Sequence, residues 1–266
     1  MSPLPPIPDL RAVPETTHAA AFDYVFVVTY GRSGSTLVQG LLNALPRTLC
    51  RGENGMYPVH LYRAAEAGVS FGEGKLASRE AWTRLARRPY SAFYGVHLLR
   101  MERFVESARE LMTELMVGRM RRGRLDRIGF KEVLWHQIAP DETEGFFAWF
   151  EACFPGARYI LNTRNIADVT ASGFWLRTPQ SEAEQAIHRV MEIQDHLRST
   201  RPDRVYDVRF EEVTSKEPGV AESQLRGLAE FVTGSCTPDV LADLLATLDV
   251  GHGPHPFGKS KPKDTQ

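Results

Sequence analysis

Short apolar runs alternate with helical periodicities along this chain. Three runs rich in β-branched and aromatic residues, at 24–29, 128–133 and 159–161, have the length of buried strands. Apolar residues at three- and four-residue steps predict helices between and after them, most clearly over residues 101–121. Because strands and helices alternate, the pattern predicts an α/β fold of three layers around a mainly parallel sheet.

The same pattern predicts how the chain is organised. Further helices are expected at residues 36–45, 146–154, 181–198, 221–231 and 238–248. Residues 1–22 are proline-rich and indicate an extended N-terminal arm. We expect one domain at 23–250, with a helical insertion at about 56–127, and a tail at 251–266 that is rich in glycine, proline and lysine.

A glycine-containing loop follows the first predicted strand and directly precedes a helical pattern. Gly31 and Gly34 permit backbone conformations that a Cβ disfavours, so the N–H groups of this loop can converge on one anion. Arg32 adds a positive charge inside the loop. The Gly-Lys pair of nucleotide-hydrolysing P-loops is missing, since the basic residue comes early. The loop therefore predicts a phosphate or sulfate site of another kind.

The loop sequence YGRSGSTL, which begins at Tyr30, resembles the first donor-binding motif of the PAPS-dependent sulfotransferases, particularly the bacterial and carbohydrate-modifying ones. PAPS is 3′-phosphoadenosine 5′-phosphosulfate. The resemblance implies a P-loop-type fold and a loop that binds the 5′-phosphosulfate. It assigns this binding to Arg32, Ser33, Gly34, Ser35 and Thr36.

A second block, residues 157–175, is similar to the family's pattern for the donor's 3′-phosphate. Arg164 follows a strand and can present several donors to a phosphate. Ser172 lies eight residues later, and a continuous helix would bring it close to the face of the helix start. The alternatives are an ion pair between Arg164 and Asp168, and a packing role for Ser172.

Two further blocks resemble the family. In residues 205–231 the resemblance places Phe210 against the adenine, although Phe210 could also be a core aromatic. In residues 127–135, Lys131 and Glu132 follow an apolar strand and could face the cleft or form an ion pair at the strand's end.

The resemblance also implies catalytic roles. Arg32 would stabilise charge on the leaving oxygen. Glu53, in the sequence Gly-Glu after the first helix and a short extended segment, would be the general base, with Glu132 as the alternative base. Some relatives use a histidine base, but His97 and His136 do not lie in that motif and are interpreted as structural.

Composition limits the partners and the compartment. In 266 residues, 32 Lys and Arg balance 33 Asp and Glu to a net charge of −1, so nucleic acid is not expected as a partner. The three cysteines (Cys50, Cys153 and Cys236) are isolated and odd in number, which favours a reduced compartment. Without a signal sequence or a stretch of about twenty apolar residues, we expect a cytoplasmic protein with no membrane partner.

No metal is assigned. His252 and His255 lie in the tail with no evident third ligand. Lys259 and Lys261 could reach the 3′-phosphate, but a solvated terminus is the simpler interpretation.

The function expected from the resemblance is in-line sulfuryl transfer from PAPS to a hydroxyl of a carbohydrate or small-molecule acceptor, with PAP as the product. Two alternatives stay open. One is a P-loop phosphotransferase or nucleotide hydrolase, in which Asp207 would hold Mg²⁺. The other is a non-catalytic nucleotide-binding module. The acceptor and the oligomeric state are not predicted.

Overall fold

A computed structural model describes residues 22–73, 79–119 and 122–249 of the chain. Most of the predicted N-terminal arm and the whole predicted tail lie outside the described residues. So do His252, His255, Lys259 and Lys261.

A five-stranded sheet forms the centre of the molecule, and every strand pairs in parallel with its neighbours. The strands are β1 (Asp23–Val28), β2 (Thr48–Arg51), β3 (Arg127–Glu132), β4 (Arg158–Thr163) and β5 (Val205–Arg209). Their spatial order is β2-β3-β1-β4-β5. Parallel strands need crossover connections, and the helical segments between them supply these. The predicted α/β fold with a mainly parallel sheet is confirmed.

The helices follow the predicted alternation closely. They are α1 (Ser35–Ala44), α2 (Tyr57–Glu73), α3 (Arg79–Ala86), α4 (Met101–Val117), α5 (Thr143–Cys153), α6 (Ile166–Thr170), α7 (Gln180–Thr200), α8 (Phe210–Val213), α9 (Val220–Thr233) and α10 (Pro238–Asp249). Helices α2, α3 and α4 all lie between β2 and β3. No helix in the described part of the chain is long and apolar enough to cross a bilayer.

The two faces of β1 bury different side chains, as the two-residue period of a strand requires. Phe26 points into an aromatic core, where its ring centroid lies 4.7 Å from that of Phe150 and 4.8 Å from that of Phe130. Val25 and Val27 point into an aliphatic core with Leu41 of α1. Because both faces are covered, β1 is buried almost throughout and holds the following loop rigidly.

Helix α4 and strand β2 depart most clearly from the sequence prediction. Helix α4 ends at Val117 rather than at residue 121, because Gly118 leaves the helix with a φ of 58° while its N–H still bonds to Glu114 O at 2.7 Å. Strand β2, expected only as a short extended segment, is a full member of the sheet. Its pairing is supported by Asn43, whose side chain donates to Cys50 O at 3.0 Å and accepts from Cys50 N at 2.8 Å.

Candidate functional site

The glycine loop lies where the central strand β1 ends and α1 begins. Arg32 (φ 68°) and Gly34 (φ 82°) both adopt left-handed backbone conformations. A left-handed conformation costs a residue other than glycine about 1–2 kcal/mol, so surrounding contacts must hold Arg32 in it. Helix α1 starts at Ser35, and no side chain caps its first turn. The free N–H groups at this helix start and the helix dipole together favour an anion.

A buried polar network fixes the loop to the sheet. Ser33 Oγ donates to Asn162 Oδ1 at 2.9 Å and lies 2.6 Å from Thr29 Oγ1. Thr29 Oγ1 also donates to Asn162 O at 3.0 Å. All three residues are fully buried. Ser33 can therefore offer a ligand only its backbone N–H, while its side chain holds the loop in shape.

Sequence reasoning missed Thr29 and Asn162 as residues of this site. Each is a buried polar residue next to apolar ones: Thr29 directly follows β1, and Asn162 lies within β4. A buried polar group needs a hydrogen-bonding partner. Their positions in apolar runs were therefore the available signal, although the sequence could not show that the two would meet.

Tyr30 connects the loop to the end of β4. Its hydroxyl accepts from Arg164 N at 3.0 Å and donates to Arg164 O at 2.9 Å. Burial raises the pKa of Tyr30, so the hydroxyl stays protonated at neutral pH and can make both bonds. Arg164 therefore has its backbone fixed against the glycine loop.

The Arg164 side chain reaches back over the loop. Its Nη1 donates to Arg32 O at 3.3 Å, and its guanidinium lies 4.5 Å from the ring centroid of Phe210. The predicted alternative, an ion pair with Asp168, is not formed between these two described residues. Both Arg164 Nε and Arg32 Nε are buried without a hydrogen-bonding partner among the described residues. Such N–H groups are costly unless a ligand or water completes them, which indicates an anion site.

Phe210 begins α8 and packs directly on the loop. A Cβ at Gly34 would overlap the Phe210 ring, so a residue larger than glycine would displace that ring. Phe210 is half-buried, and Arg164 covers one face of its ring. The structure thus brings Phe210 to the loop, as the sequence suggested, and leaves its contact with adenine as a prediction.

Ser172 is not on a continuous helix with Arg164, which corrects the sequence prediction. Helix α6 ends at Thr170, and Ser172 has an extended backbone (φ −136°, ψ 148°) before a 3-10 helix at Gly173–Arg177. Its hydroxyl donates to Val169 O at 3.0 Å. The break arises because Gly173, with a φ of 63°, packs against Arg32; a Cβ there would lie 2.6 Å from Arg32 Nε.

The segment after Ser172 forms a wall against the loop. Trp175 Nε1 donates to Gly31 O at 2.9 Å. The ring of Phe174 occupies the space that a Cβ on Gly31 would need. Glycine at position 31 is therefore required for Phe174 and Trp175 to pack this closely against the loop, as well as being part of the loop itself.

Glu53 and Lys131 form an ion pair where β2 and β3 end. Lys131 Nζ lies 2.5 Å from Glu53 Oε1, with the Lys131 side chain 5% exposed and that of Glu53 53% exposed. Neighbouring residues of a strand point to opposite faces, so Lys131 pairs with Glu53 and not with Glu132. The buried ammonium group holds an accessible carboxylate in one position.

Glu132, the alternative base, is completely buried and accepts four backbone hydrogen bonds. Its Oε2 accepts from Asn54 N at 2.8 Å and Met56 N at 3.0 Å, and its Oε1 from Val133 N at 2.7 Å and Leu134 N at 3.1 Å. With both oxygens engaged and water excluded, Glu132 has a structural role. It anchors the turn that follows Glu53.

The two histidines considered as bases lie in short 3-10 helices. His97 belongs to a 3-10 helix at Val96–Leu98, and His136 to another at Trp135–Gln137. Burial lowers the pKa of His136. Neither ring bonds to the glycine loop within the described residues.

Asp207 is exposed on β5 and pairs with Arg198, with Asp207 Oδ1 2.5 Å from Arg198 Nη2. Its carboxylate is thus already engaged. Among the described residues, no group of three His, Cys, Asp or Glu side chains is placed to hold a metal. The three cysteines are free thiols, and burial raises the pKa of Cys50 to about 12.

Comparison with known proteins agrees with this geometry. The sequence model of the sulfotransferase family matches residues 24–232, a segment that includes the loop, Arg164 and Phe210. No curated protein matches the sequence.

Two solved structures resemble this chain to different degrees. The sulfotransferase domain of the Synechococcus PCC 7002 olefin synthase is 18% identical, with a TM-score of 0.50 over 85% of this chain and 78% of that chain. Sulfotransferase STF9 from Mycobacterium avium is 13% identical, with a TM-score of 0.47 over 88% of this chain and 69% of that one. The match of the family's sequence model over most of the chain settles the assignment: this chain belongs to the sulfotransferase family.

Proposed function

We propose that this chain transfers a sulfuryl group from PAPS to a hydroxyl group of a carbohydrate or small-molecule acceptor and releases PAP. The observation that carries the proposal is the pair of buried, unpartnered guanidinium nitrogens, Arg32 Nε and Arg164 Nε, at one glycine loop. A donor with phosphate groups at both its 5′ and 3′ positions would supply two anions to such a site.

The donor's 5′-phosphosulfate would lie on the loop. Backbone N–H groups from Ser33 to Thr36 would bind its oxygens, because Gly34 opens the helix start and no side chain caps it. Arg32 would supply the full positive charge. The buried hydroxyls of Thr29 and Ser33, together with the Asn162 side chain, hold the loop in this conformation before the donor binds. Little reorganisation of the loop is therefore needed on binding.

The rest of the donor would extend towards β4 and β5. Arg164 and Ser172 would bind the 3′-phosphate, and Phe210 would contact the adenine. Arg164 already lies on one face of the Phe210 ring, so the adenine would use the other face or the ring edge. The hydroxyl of Ser172 would have to turn away from Val169 O to donate to a phosphate.

Glu53 would act as the general base. In the transfer, the acceptor oxygen forms a bond to sulfur while the bond from sulfur to the 5′-phosphate oxygen breaks, and that electron pair leaves with PAP. The acceptor's proton passes to the Glu53 carboxylate. Lys131 would orient this carboxylate through the 2.5 Å ion pair, and Arg32 would stabilise the negative charge on the leaving group.

Calorimetric titration with PAP, in parallel with ATP and AMP and with and without Mg²⁺, tests the donor site. We expect PAP to bind without metal and more tightly than AMP or ATP, and Arg164→Ala to weaken it. Arg226→Ala is a matched control, because Arg226 is exposed and paired with Glu222 on α9. Stronger binding of ATP with Mg²⁺ than of PAP would instead support a phosphotransferase.

Transfer itself needs a second measurement. Labelled sulfate from PAPS should appear in a hydroxyl-bearing acceptor from a panel of sugars and small molecules, and Glu53→Gln should abolish this without loss of PAP binding. Tight PAP binding with no transfer to any member of a broad panel would support the non-catalytic module.

A further inference from the structure

The segment from residue 84 to residue 103, which we call the 84–103 surface, carries an unbalanced positive charge. It has five exposed arginines and one acidic residue, Glu102. The arginines are Arg84, Arg87, Arg88, Arg100 and Arg103. None of them forms an ion pair with a described carboxylate, whereas Arg198, Arg201 and Arg226 elsewhere all do. Five arginines and one glutamate give this segment a net charge of +4, within a chain whose net charge is −1.

The fold gathers the two ends of this segment into one patch. Ala86 and Val96 are both buried and pack together with Phe93. The N–H of Gly95 donates to Ala86 O at 2.9 Å, which closes the intervening residues into a loop. The arginines just after Ala86 are thereby brought close to the residues after Val96.

The patch also exposes large apolar side chains. Tyr90 is fully exposed, Tyr94 is 60% exposed and Leu98 is 65% exposed. Leu98 lines a shallow depression together with Arg100 and Arg103. Adjacent exposed apolar and cationic groups of this kind mark an interaction site more often than an ordinary solvated surface.

We propose that the 84–103 surface binds the anionic face of a lipid bilayer. Its guanidinium groups match lipid phosphates in charge and hydrogen-bonding geometry. Its tyrosines suit the level of the headgroups, and Leu98 and Leu99 can enter the boundary with the acyl chains. The contact is peripheral, and it is independent of the donor site.

A bilayer fits this surface better than an acidic polymer does. Arginines and tyrosines could contact either a bilayer or an acidic polymer, since both of these partners are anionic. Exposed aliphatic side chains gain nothing from a hydrated polyanion, but they are stabilised when they leave water for a lipid interface. Leu98 and Leu99 therefore decide between the two partners.

Co-sedimentation of the full chain with vesicles tests this proposal. The vesicles contain phosphatidylcholine alone or with about 30% phosphatidylglycerol, an anionic lipid. We expect binding only to the anionic vesicles and a decrease as salt is raised. Loss of one arginine should weaken partitioning roughly fivefold, so Arg100→Gln with Arg103→Gln should weaken it about 25-fold.

Two further variants make the test specific. Lys216→Gln with Arg226→Gln removes the same charge outside the surface, where Lys216 is exposed and the Arg226 side chain is 44% exposed, and should leave vesicle binding almost unchanged. Leu98→Ser with Leu99→Ser keeps every charge, and we expect it to weaken vesicle binding without affecting any binding to dextran sulfate in solution.

Other outcomes would overturn the proposal. One is equal binding to both kinds of vesicle, and another is no binding to either. A third is strong binding of dextran sulfate together with vesicle binding that Leu98→Ser with Leu99→Ser does not weaken. The last would identify an acidic polymer as the partner. Loss of PAP affinity in the Arg100→Gln, Arg103→Gln variant would place these arginines at the donor site instead. The PAP titration thus separates failure of this proposal from failure of the proposed function.

Discussion

At the glycine loop and on the 84–103 surface, arginines form no ion pair with a carboxylate of the described residues, but the two regions differ in how those arginines are held. Arg32 and Arg164 have buried Nε atoms, and their backbones are fixed by bonds from Tyr30 and by a left-handed turn. The arginines of the 84–103 surface are exposed. Buried, preorganised charge selects one anion of a given shape, whereas exposed charge attracts many anions weakly. The same residue type is therefore expected to give a specific site in one region and diffuse attraction in the other.

The largest expected effect concerns chemistry, which only the loop region is proposed to perform. Glu53→Gln should lower kcat by roughly 10²–10⁴-fold, because the acceptor would lose its proton acceptor. PAP affinity should stay close to that of the unchanged protein. Steady-state transfer assays and calorimetry measure the two quantities. Glu222→Gln, which removes an exposed carboxylate on α9, is the control; retained turnover in Glu53→Gln would move the base elsewhere.

Arg32→Ala should have the next largest effect. Removing the loop cation should cut transfer by about 10²–10³-fold, since it stabilises charge on the leaving group. Arg103→Gln should leave transfer unchanged when the acceptor is presented without vesicles. Thermal unfolding would show whether both variants are folded. If the two variants lost activity equally, the distinction between buried and exposed arginines would fail.

Changes in PAP affinity should distinguish the two regions by a smaller factor than changes in transfer do. Arg164→Ala should weaken PAP binding about 10- to 100-fold, the range expected when a charge-assisted hydrogen bond is lost. Arg100→Gln should bind PAP as the unchanged protein does. Calorimetric titration of both variants is the measurement, and unaltered PAP affinity in Arg164→Ala would remove Arg164 from the donor site.

The smallest effect is a difference in salt dependence. The Debye length falls from about 10 Å at 0.1 M salt to about 3 Å at 1 M. Vesicle binding through exposed arginines should therefore fall steeply as salt rises, while PAP binding through partly buried groups should weaken only a few-fold over the same range. Parallel titrations at several salt concentrations would show it. Equal slopes would indicate that the two regions bind anions in the same way.

Much of the fold followed from patterns that are local in sequence. The strands β1, β3 and β4 were recognisable because a buried strand requires a continuous apolar stretch. The glycine loop was recognisable from Gly31 and Gly34, which follow the first of these stretches. Strand β2 was harder, since its four residues have no distinctive alternation. Its membership of the sheet depends on pairing with β3 and on the Asn43 side chain, which are contacts between distant parts of the chain.

The surface chemistry was less accessible to sequence reasoning. A long apolar segment marks a membrane-spanning helix in a sequence, but a peripheral membrane-binding surface needs no such segment. The arginines of the 84–103 surface are visible in the sequence, but the sequence does not show that no described carboxylate pairs with them. Pairing depends on which side chains the fold places within reach, as it does at Arg47, Arg63 and Arg198.

The amino-acid sequence alone was enough to predict the α/β architecture, the position of the glycine loop and the candidate residues at the ends of the strands. These depend on hydrophobic periodicity, glycine placement and residue type, which are properties of neighbouring positions. The folded structure was needed to show that Ser33 faces inward to Asn162, that Ser172 lies beyond a helix break, and that Glu53 rather than Glu132 is accessible and paired with Lys131. Each of these depends on which side chains meet across the sheet, and the local pattern does not specify such meetings.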